Sequence, residues 1–292
     1  MSLADPRLCH PAVSSGIPFV SNQRTITEQA VDGLRIRPLA SLREVALIVV
    51  AYQAATTVGS VLDRIPATMA EEVGAILISD DASTDNTSEV ARRWVATHPK
   101  VNAHVVHQST NLGYGGNQKF CYQWARQNGF RYVLMIHGDG QYAPELALAL
   151  LQPLLIGDAQ AVFGSRMLTK GGARQGGMPR YKFIGNKVLT GVQNRLVGLN
   201  LSEWHSGYRA YDLCALDATR LDALSNGFDF DTEIILDLAR GRNTIREVPI
   251  PTFYGSEKCH VNGLRYAKDV LVDVAQFRSR QRRAGRNLIA AR

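Results

Sequence analysis

From Glu44 onward the chain alternates short apolar runs with longer mixed segments, and this alternation restricts the fold more than any other feature. The runs are Val45 to Ala51, Val73 to Ser79, Val101 to His107, Tyr132 to Ile136 and Ala159 to Phe163. Each is short and nearly continuous, so it reads as a strand buried on both faces. The segments between them, at about 57–65, 86–97, 117–128 and 144–155, read as helices. Pro66 stops the first, and Ser83 or Asp85 can cap the second by accepting from free backbone N–H groups. Strand and helix repeated four times imply an α/β fold: a doubly wound, mainly parallel sheet flanked by helices, with right-handed crossovers. Ligands of such sheets sit at the carboxyl ends of the strands, so chemistry is expected in the loops after Val50, Ser79, His107 and Ile136.

Composition narrows the class. With 292 residues, 45% of them hydrophobic, the chain has material for one large core or two small ones, which excludes disorder and a disulfide mini-scaffold. Residues 1–40 mix prolines and glycines with polar residues and read as an irregular leader, 41–277 as the folded domain, and 278–292 as a basic tail. That tail holds six arginines and no acid, so it carries +6 of the net charge of +7. A nearly neutral body without a basic, aromatic stripe argues against nucleic acid as a partner. Cys9, Cys121, Cys214 and Cys259 form no C-x-x-C pair and read as reduced thiols. The longest apolar stretches, Val45 to Ala51 and Leu146 to Ile156, fall short of the roughly 20 residues that cross a bilayer, and no secretory signal is visible. The expectation is a cytoplasmic protein, free or peripheral at the inner face of a membrane; a homo-oligomer is compatible with this composition.

The loops at the expected strand ends are rich in small and acidic residues. After the second strand stands Asp80-Asp81-Ala82-Ser83-Thr84-Asp85-Asn86-Thr87. Capping accounts for Ser83 or Asp85, but two adjacent carboxylates at a strand end repel one another and call for a ligand's hydroxyl, amide or metal. Asn111-Leu112-Gly113-Tyr114-Gly115-Gly116-Asn117 gives a glycine-rich approach to a helix, suited to close contact between backbone and ligand; it is neither G-x-G-x-x-G nor a Walker sequence. The fourth strand ends in His137-Gly138-Asp139-Gly140-Gln141-Tyr142. A carboxylate between glycines, flanked by an imidazole and an amide oxygen, suits a hard divalent cation that takes its other ligands from phosphate and water. A tight Gly-Asp-Gly turn is the plainer reading.

The order of these motifs resembles the family 2 glycosyltransferases, inverting enzymes of the GT-A fold that use nucleotide-diphosphate sugars, over residues 44 to about 266. Val50-Ala51-Tyr52-Gln53 resembles the family's "PAYNE" loop, Asp80 to Asp85 its "DDGSTD", Asn111 to Asn117 its "NxGxGxARN" segment, and Gly138-Asp139-Gly140-Gln141 the "DADGQ" form of its D-x-D motif. Gly164-Ser165-Arg166, Ser206 to Tyr211 and Glu247 to Ile250 are similar to the "GSR", "SGFRAY" and "EVPI" elements of the polyprenyl-phosphate or dolichyl-phosphate sugar synthases. The resemblance implies a UDP- or GDP-sugar donor, a polyprenyl phosphate or glycan acceptor, and work in cell-envelope polysaccharide biosynthesis. It implies that Ala51 and Tyr52 border the base, that Asp80, Asp81, Gly113 and Asn117 belong to the donor nucleotide site, and that Asp139, Gln141 and His137 hold Mg2+ or Mn2+. Two positions depart from the pattern: His137 stands where the first D-x-D carboxylate would be, and Val50 and Ala54 replace the proline and glutamate of the first loop. The histidine implies weaker metal binding, a tilt toward Mn2+, or Asp139 as sole protein anchor.

An acceptor-side extension follows, dense in cations between residues 164 and 211. Arg166 and Arg209 follow small residues at expected strand ends, where a guanidinium can fork onto phosphate oxygens. Lys258, in Tyr254 to His260, occupies the place of a loop that closes over donor phosphates in the resembled family. An acceptor phosphate is already anionic and needs neutralisation and alignment, with Arg209 fitting that role; a hydroxyl acceptor needs a base. Glu203 is the first candidate base and Asp231 the next, with Glu233 beside it, although acids in a first helical turn also stabilise the helix. His205 beside Trp204 is assigned no catalysis. Val270, Leu271, Val274 and Phe277 give the last helix an apolar face leading into the arginines, so 264–292 could rest on an anionic membrane. Two competing functions are a sugar-nucleotide pyrophosphorylase, which would want a glycine-rich basic loop where Ala51 to Ala55 stand, and a non-catalytic nucleotide-sugar binder.

Overall fold

The computed structural model describes residues 40–251 and 263–290. Seven strands form one sheet: β1 Val45–Ala51, β2 Ala75–Asp80, β3 Ala103–His107, β4 Tyr132–His137, β5 Ala161–Ser165, β6 Arg209–Asp212 and β7 Ile245–Pro249. Their order is β3-β2-β1-β4-β6-β5-β7. β6 alone among them runs antiparallel, with Arg209 opposite Met135 of β4 and Phe163 of β5. Its first residue therefore lies at the edge where its neighbours end. That edge collects the ends of β1, β2, β4 and β5 and the approach to β6, which fixes where a ligand can meet several loops at once.

Successive strand residues face opposite sides of a sheet. Leu47, Val49, Ile76, Ile78, Leu134 and Ile136 pack on one side against α1 (Val58–Asp63), α2 (Ala67–Glu72), α3 (Thr87–Thr97) and α5 (Ala147–Leu155). Ala46, Ile48, Leu77, Val133, Phe163 and Tyr211 pack on the other against α4 (Tyr114–Gln127), α9 (Phe230–Arg240) and α10 (Gly263–Ala290). Between β5 and β6 come α6 (Gly172–Gln175) and α7 (Arg180–Val197), and α8 (Ala218–Leu221) follows β6. β1, β2, β4 and β5 are covered on both faces, as their unbroken apolar runs require. β3 differs from the expectation: it is an edge strand, and its residues are partly exposed.

Local differences from the sequence reading have local causes. Pro66 follows α1 and stands at the N-cap of α2, a helix the sequence reading does not separate, and Val73 ends that helix, so β2 begins at Ala75 and not at Val73. α4 begins three residues earlier than its apolar pattern suggests, because Gly115 and Gly116 serve close packing rather than flexibility. A Cβ at Gly115 would lie 2.5 Å from the Ser225 carbonyl oxygen and 2.7 Å from Phe230 Cβ. Residues 180–197, read as part of a cation-rich stretch, form a helix of 18 residues. α10 continues past Phe277 to Ala290, through residues that are mostly good helix formers. No helix among the described residues is long and apolar enough to cross a membrane. Cys121 is a buried free thiol, whose pKa burial pushes up to about 12.

Candidate active site

At the strand-end edge lies a cleft of about 1750 Å³. Ala51, Tyr52, Asp81, Gly113, Asn117, His137, Asp139 and Gln141 line it on the side that the sequence reading assigns to a donor. The loops that present them are cross-tied. Gln53 N–H donates to Ser83 Oγ at 2.8 Å, Ala54 N–H to Thr87 Oγ1 at 2.8 Å and Ala55 N–H to Asp85 Oδ2 at 3.1 Å, so the loop after β1 hangs from the loop after β2. Thr57 Oγ1 donates to the Gly138 carbonyl at 2.7 Å, which joins both to the loop after β4. Asp85 also accepts from Thr87 N–H at the start of α3, while Ser83 is turned to the first loop instead.

The two adjacent acids have different tasks. Asp81 lines the cleft, and its oxygens accept from Leu112 N–H at 2.7 Å and Gly113 N–H at 3.0 Å. Burial pushes its carboxyl above the usual range, Asp80 adds to this, and the two N–H groups oppose it. Asp80 is wholly buried and does not line the cleft. Its oxygens accept from Ser83, Ser88 and His107 Nδ1, the last at 2.9 Å, and these bonds overcome burial to hold it below its ordinary value. The nucleotide-binding expectation for Asp80 is thus corrected: it braces the loop in which Asp81 stands.

In the loop after β4, Gly138 lets the backbone pass Ala51, where an added Cβ would come within 3.1 Å of the alanine's own, and Gly140 turns with φ +81°. Asp139 lines the cleft and takes Gln141 N–H on Oδ1 at 3.0 Å. Among the described residues no three His, Cys, Asp or Glu side chains come together as a metal cage. One carboxylate in an open cleft fits a hard cation that takes its remaining ligands from diphosphate and water, and does not fit a closed structural site. The His137 ring is packed between Tyr114 and Tyr142, and burial holds its imidazole below the ordinary value, although Asp139 and Asp231 pull the other way.

On the acceptor side, two expectations are corrected. Glu203 is 1% exposed and lies outside the cleft lining; it accepts from Arg166 N–H at 2.8 Å, Arg166 Nε at 2.9 Å and Asn186 Nδ2 at 2.8 Å. Burial would raise its carboxyl, but the Arg166 guanidinium wins and keeps it below the usual range. It is a sequestered counter-ion, out of reach as a base, and it aims Arg166, which does line the cleft. Arg209 is equally buried. Its guanidinium donates to the carbonyls of Ser206, Trp204 and Asp231 at 2.7 to 2.9 Å and stacks over Phe163, so it cannot fork onto a phosphate. Asp231 does reach the cleft, with Tyr114 Oη donating to Oδ2 at 2.8 Å and Arg209 3.7 Å away. Glu233 is turned to Ser225 N–H, and His205, held down to about 4 by burial, shares a 2.8 Å hydrogen bond with Tyr266. Lys258 lies outside the described residues.

Several lining residues escaped the sequence reading. Tyr114 sits in a segment read for its glycines. Tyr181, Val188, Leu189 and Val192 of α7, together with Lys182 and the α10 residue Leu271, which the sequence reading places in a cation cluster and an apolar helix face, extend the cleft as a largely apolar wall. Tyr181, Ile184, Val188 and Val192 follow helical spacing and are 72%, 59%, 61% and 39% exposed, a pattern legible only once α7 is known to be helical.

A mainly parallel sheet with this donor-side cleft at its carboxyl edge, closed on the other side by helices, is the architecture of GT-A glycosyltransferases. A Mycobacterium tuberculosis glucosyl-3-phosphoglycerate synthase in complex with Mn2+, UDP and phosphoglyceric acid superposes with a TM-score of 0.59 at 16% identity, covering 83% of this chain and 84% of that one. Residues 46–216 match the model of glycosyl transferase family 2, and the chain belongs to that family. Its relatives include the undecaprenyl-phosphate mannosyltransferase of Micrococcus luteus, 31% identical over 66% of this chain and 75% of that protein. Another is the polyprenol monophosphomannose synthase of Mycolicibacterium smegmatis, 28% identical over 60% and 65%. The chain is therefore a glycosyltransferase, which sets aside the pyrophosphorylase and the non-catalytic binder.

Proposed function

We propose that this glycosyltransferase moves a sugar, with inversion, from a UDP- or GDP-linked donor to a polyprenyl phosphate, assisted by Mg2+ or Mn2+. The observation that carries the acceptor is the apolar wall of α7 and α10, because it belongs to the same cleft as the strand-end loops and gives an isoprenoid chain a surface to lie on. The relatives named for undecaprenyl-phosphate and polyprenol substrates support the same reading. An acceptor phosphate oxygen would attack the anomeric carbon as the bond to the donor diphosphate breaks, the nucleoside diphosphate leaving with the electron pair. Such an acceptor is anionic at the outset, which agrees with Arg166 and Lys182 in the lining and with the removal of Glu203 from the list of bases. Asp139 would hold the cation, with Gln141 beside it. When bound, the cation neutralises charge developing on the departing diphosphate. Asp81 and Gly113 would shape the nucleotide pocket, and Ala51 and Tyr52 would flank the base. The α7 face and the α10 segment toward the arginines would bring the enzyme to the inner face of the membrane.

Transfer from labelled UDP- and GDP-sugars with Mn2+, offered undecaprenyl phosphate in mixed micelles or a soluble oligosaccharide, tests the proposal. A product that partitions into organic solvent is expected, and Val188→Glu should lower its rate about tenfold by placing a charge in the apolar wall, with nucleoside diphosphate affinity unchanged. Transfer to the soluble glycan alone would overturn the lipid acceptor.

A further inference from the structure

The surroundings of His137 are joined in a way that donor binding alone does not require. Tyr114, the first residue of α4, donates its hydroxyl to Asp231 Oδ2 at 2.8 Å and lies 3.3 Å from His137 Nε2. A phenol has one proton, and here the carboxylate takes it. The His137 contact is then a donation from Nε2–H to the phenol oxygen, which places the ring proton on Nε2. The rest of the packing holds the ring in that pose. Tyr114 and Tyr142 meet it edge-on at centroid distances of 5.6 and 5.1 Å. Gly207 closes the third side: a Cβ there would stand 2.6 Å from His137 Nε2 and 2.8 Å from Tyr114 Oη, and its N–H donates to Tyr142 Oη at 2.7 Å. The end of β4, the start of α4, the approach to β6 and the start of α9 thus converge on one hydroxyl.

We propose that His137 and Tyr114 form a strut that ties the donor-side Asp139 loop to the acceptor-side Asp231, with His137 Nε2 acting there as a hydrogen-bond donor and not as a metal ligand. The proposal rests on the reading of Asp139 as metal anchor. A protonated Nε2 has no lone pair to offer a cation, so of the two ring nitrogens only Nδ1 keeps one, and the departure from the family's paired carboxylates places a link at Nε2. Tyr114 is a positioning residue. Asp231 Oδ2 has the Tyr114 hydroxyl and, at 3.7 Å, the Arg209 guanidinium, while Oδ1 is buried without a partner among the described residues. Removing the hydroxyl takes away the one short hydrogen bond that orients this carboxylate against the donor loop.

Three measurements on the full chain decide the matter. The first follows free Mn2+ by its paramagnetic resonance signal in the presence of UDP or GDP. His137→Phe, which keeps an aromatic ring and removes both nitrogens, should change nucleotide-dependent Mn2+ affinity less than about twofold, whereas a tenfold loss, the scale of a lost ligand, would assign Nδ1 to the metal and overturn the reading of His137 as a link and not a ligand. The second is thermal unfolding of His137→Phe, Tyr114→Phe and the double variant: the double should melt no lower than the worse single variant, and additive losses would overturn the link. The third is transfer by Tyr114→Phe, expected to lower kcat about tenfold with donor KM within about twofold; a raised donor KM with unchanged kcat would overturn the positioning role. If neither nucleotide promotes Mn2+ binding by the wild type, the Asp139 reading fails, and the unfolding cycle still decides the strut on its own.

Discussion

The donor and acceptor sides of the cleft use charge in opposite ways. On the donor side, carboxylates bind backbone, hydroxyl and imidazole groups of neighbouring loops: Asp80 takes Ser83, Ser88 and His107, Asp81 takes Leu112 and Gly113, and Asp85 takes Ala55 and Thr87. On the acceptor side, each charge that lines the cleft pairs with a buried one behind it, Arg166 with Glu203 and Asp231 with Arg209. The first arrangement shapes a pocket for an incoming ligand from groups close to three adjacent strand ends. The second sequesters Glu203 and Arg209 as internal supports, so that a charge in a motif can stand near the site without facing it. Loss of a donor-side acid at the cleft should therefore affect binding or turnover, and loss of an acceptor-side partner should affect folding first.

Asp139→Ala is the strongest test of the donor side. It removes the carboxylate of the loop after β4, and transfer should fall by a factor on the order of 10³ or more, with metal-dependent nucleotide binding lost and the melting temperature within a few degrees of wild type. Unchanged turnover would break the assignment. Glu203→Gln is the counterpart on the acceptor side. Breaking a buried ion pair leaves the remaining charge uncompensated, so unfolding should become easier by about 3 kcal/mol. A base would behave otherwise: its amide variant would fold normally and fail in turnover. Normal stability with abolished transfer would restore Glu203 as the base.

These expectations also mark what a reader of the chain could and could not see. β1 spans Val45–Ala51 as its apolar run indicates, and the sheet edge it helps form gathers Asp81 and Asp139, because strand order and loop position follow from local pattern. β6 is four residues long and its partners lie far away in sequence, so nothing local marks Arg209 as the first residue of an antiparallel strand. The same distance hid the roles of Glu203 and Arg209. Thirty-seven positions separate Glu203 from Arg166, and a charge seen without its partner looks available for catalysis. α7 was obscured by Gly185, Gly191 and flanking cations, and with it the apolar wall of the cleft.

A smaller effect separates the two uses of a carboxylate within the donor side. Asp81→Asn keeps one acceptor oxygen for the Leu112 and Gly113 amides but adds an N–H2 that must face one of them. Affinity for UDP or GDP should fall about tenfold, whichever sugar is attached, because the pocket wall rather than a sugar contact is disturbed. Calorimetry with the bare nucleoside diphosphate measures it. An effect seen only with the complete sugar donor would move Asp81 from the nucleotide to the sugar.

The smallest expected effect concerns an acceptor-side acid that lacks a cation of its own among the described residues. Asp273 of α10 lies near Glu233 of α9, its N-cap residue Asp229 and Asp269, and its Oδ2 is buried without a hydrogen-bond partner among the described residues. Burial, aided by these three acids, pushes its carboxyl up to about 7. In the unfolded chain the group returns to its ordinary value near 4, which fixes the sign of the pH dependence. Below pH 4 both states are protonated and the residue adds nothing. Between 4 and 7 the unfolded chain releases the proton while the folded one retains it, so folding is increasingly disfavoured, and above 7 the full penalty applies. Asp273→Asn removes this titration. Its melting temperature should exceed that of wild type at pH 8 by an amount on the order of 2 °C, since partial exposure screens the repulsion, and the gain should vanish by pH 4. A gain independent of pH would mean that the asparagine improves packing and that the acids between α9 and α10 do not repel. A gain confined to high pH would set Asp273 apart from Glu203 and Asp231, whose burial is matched by an arginine.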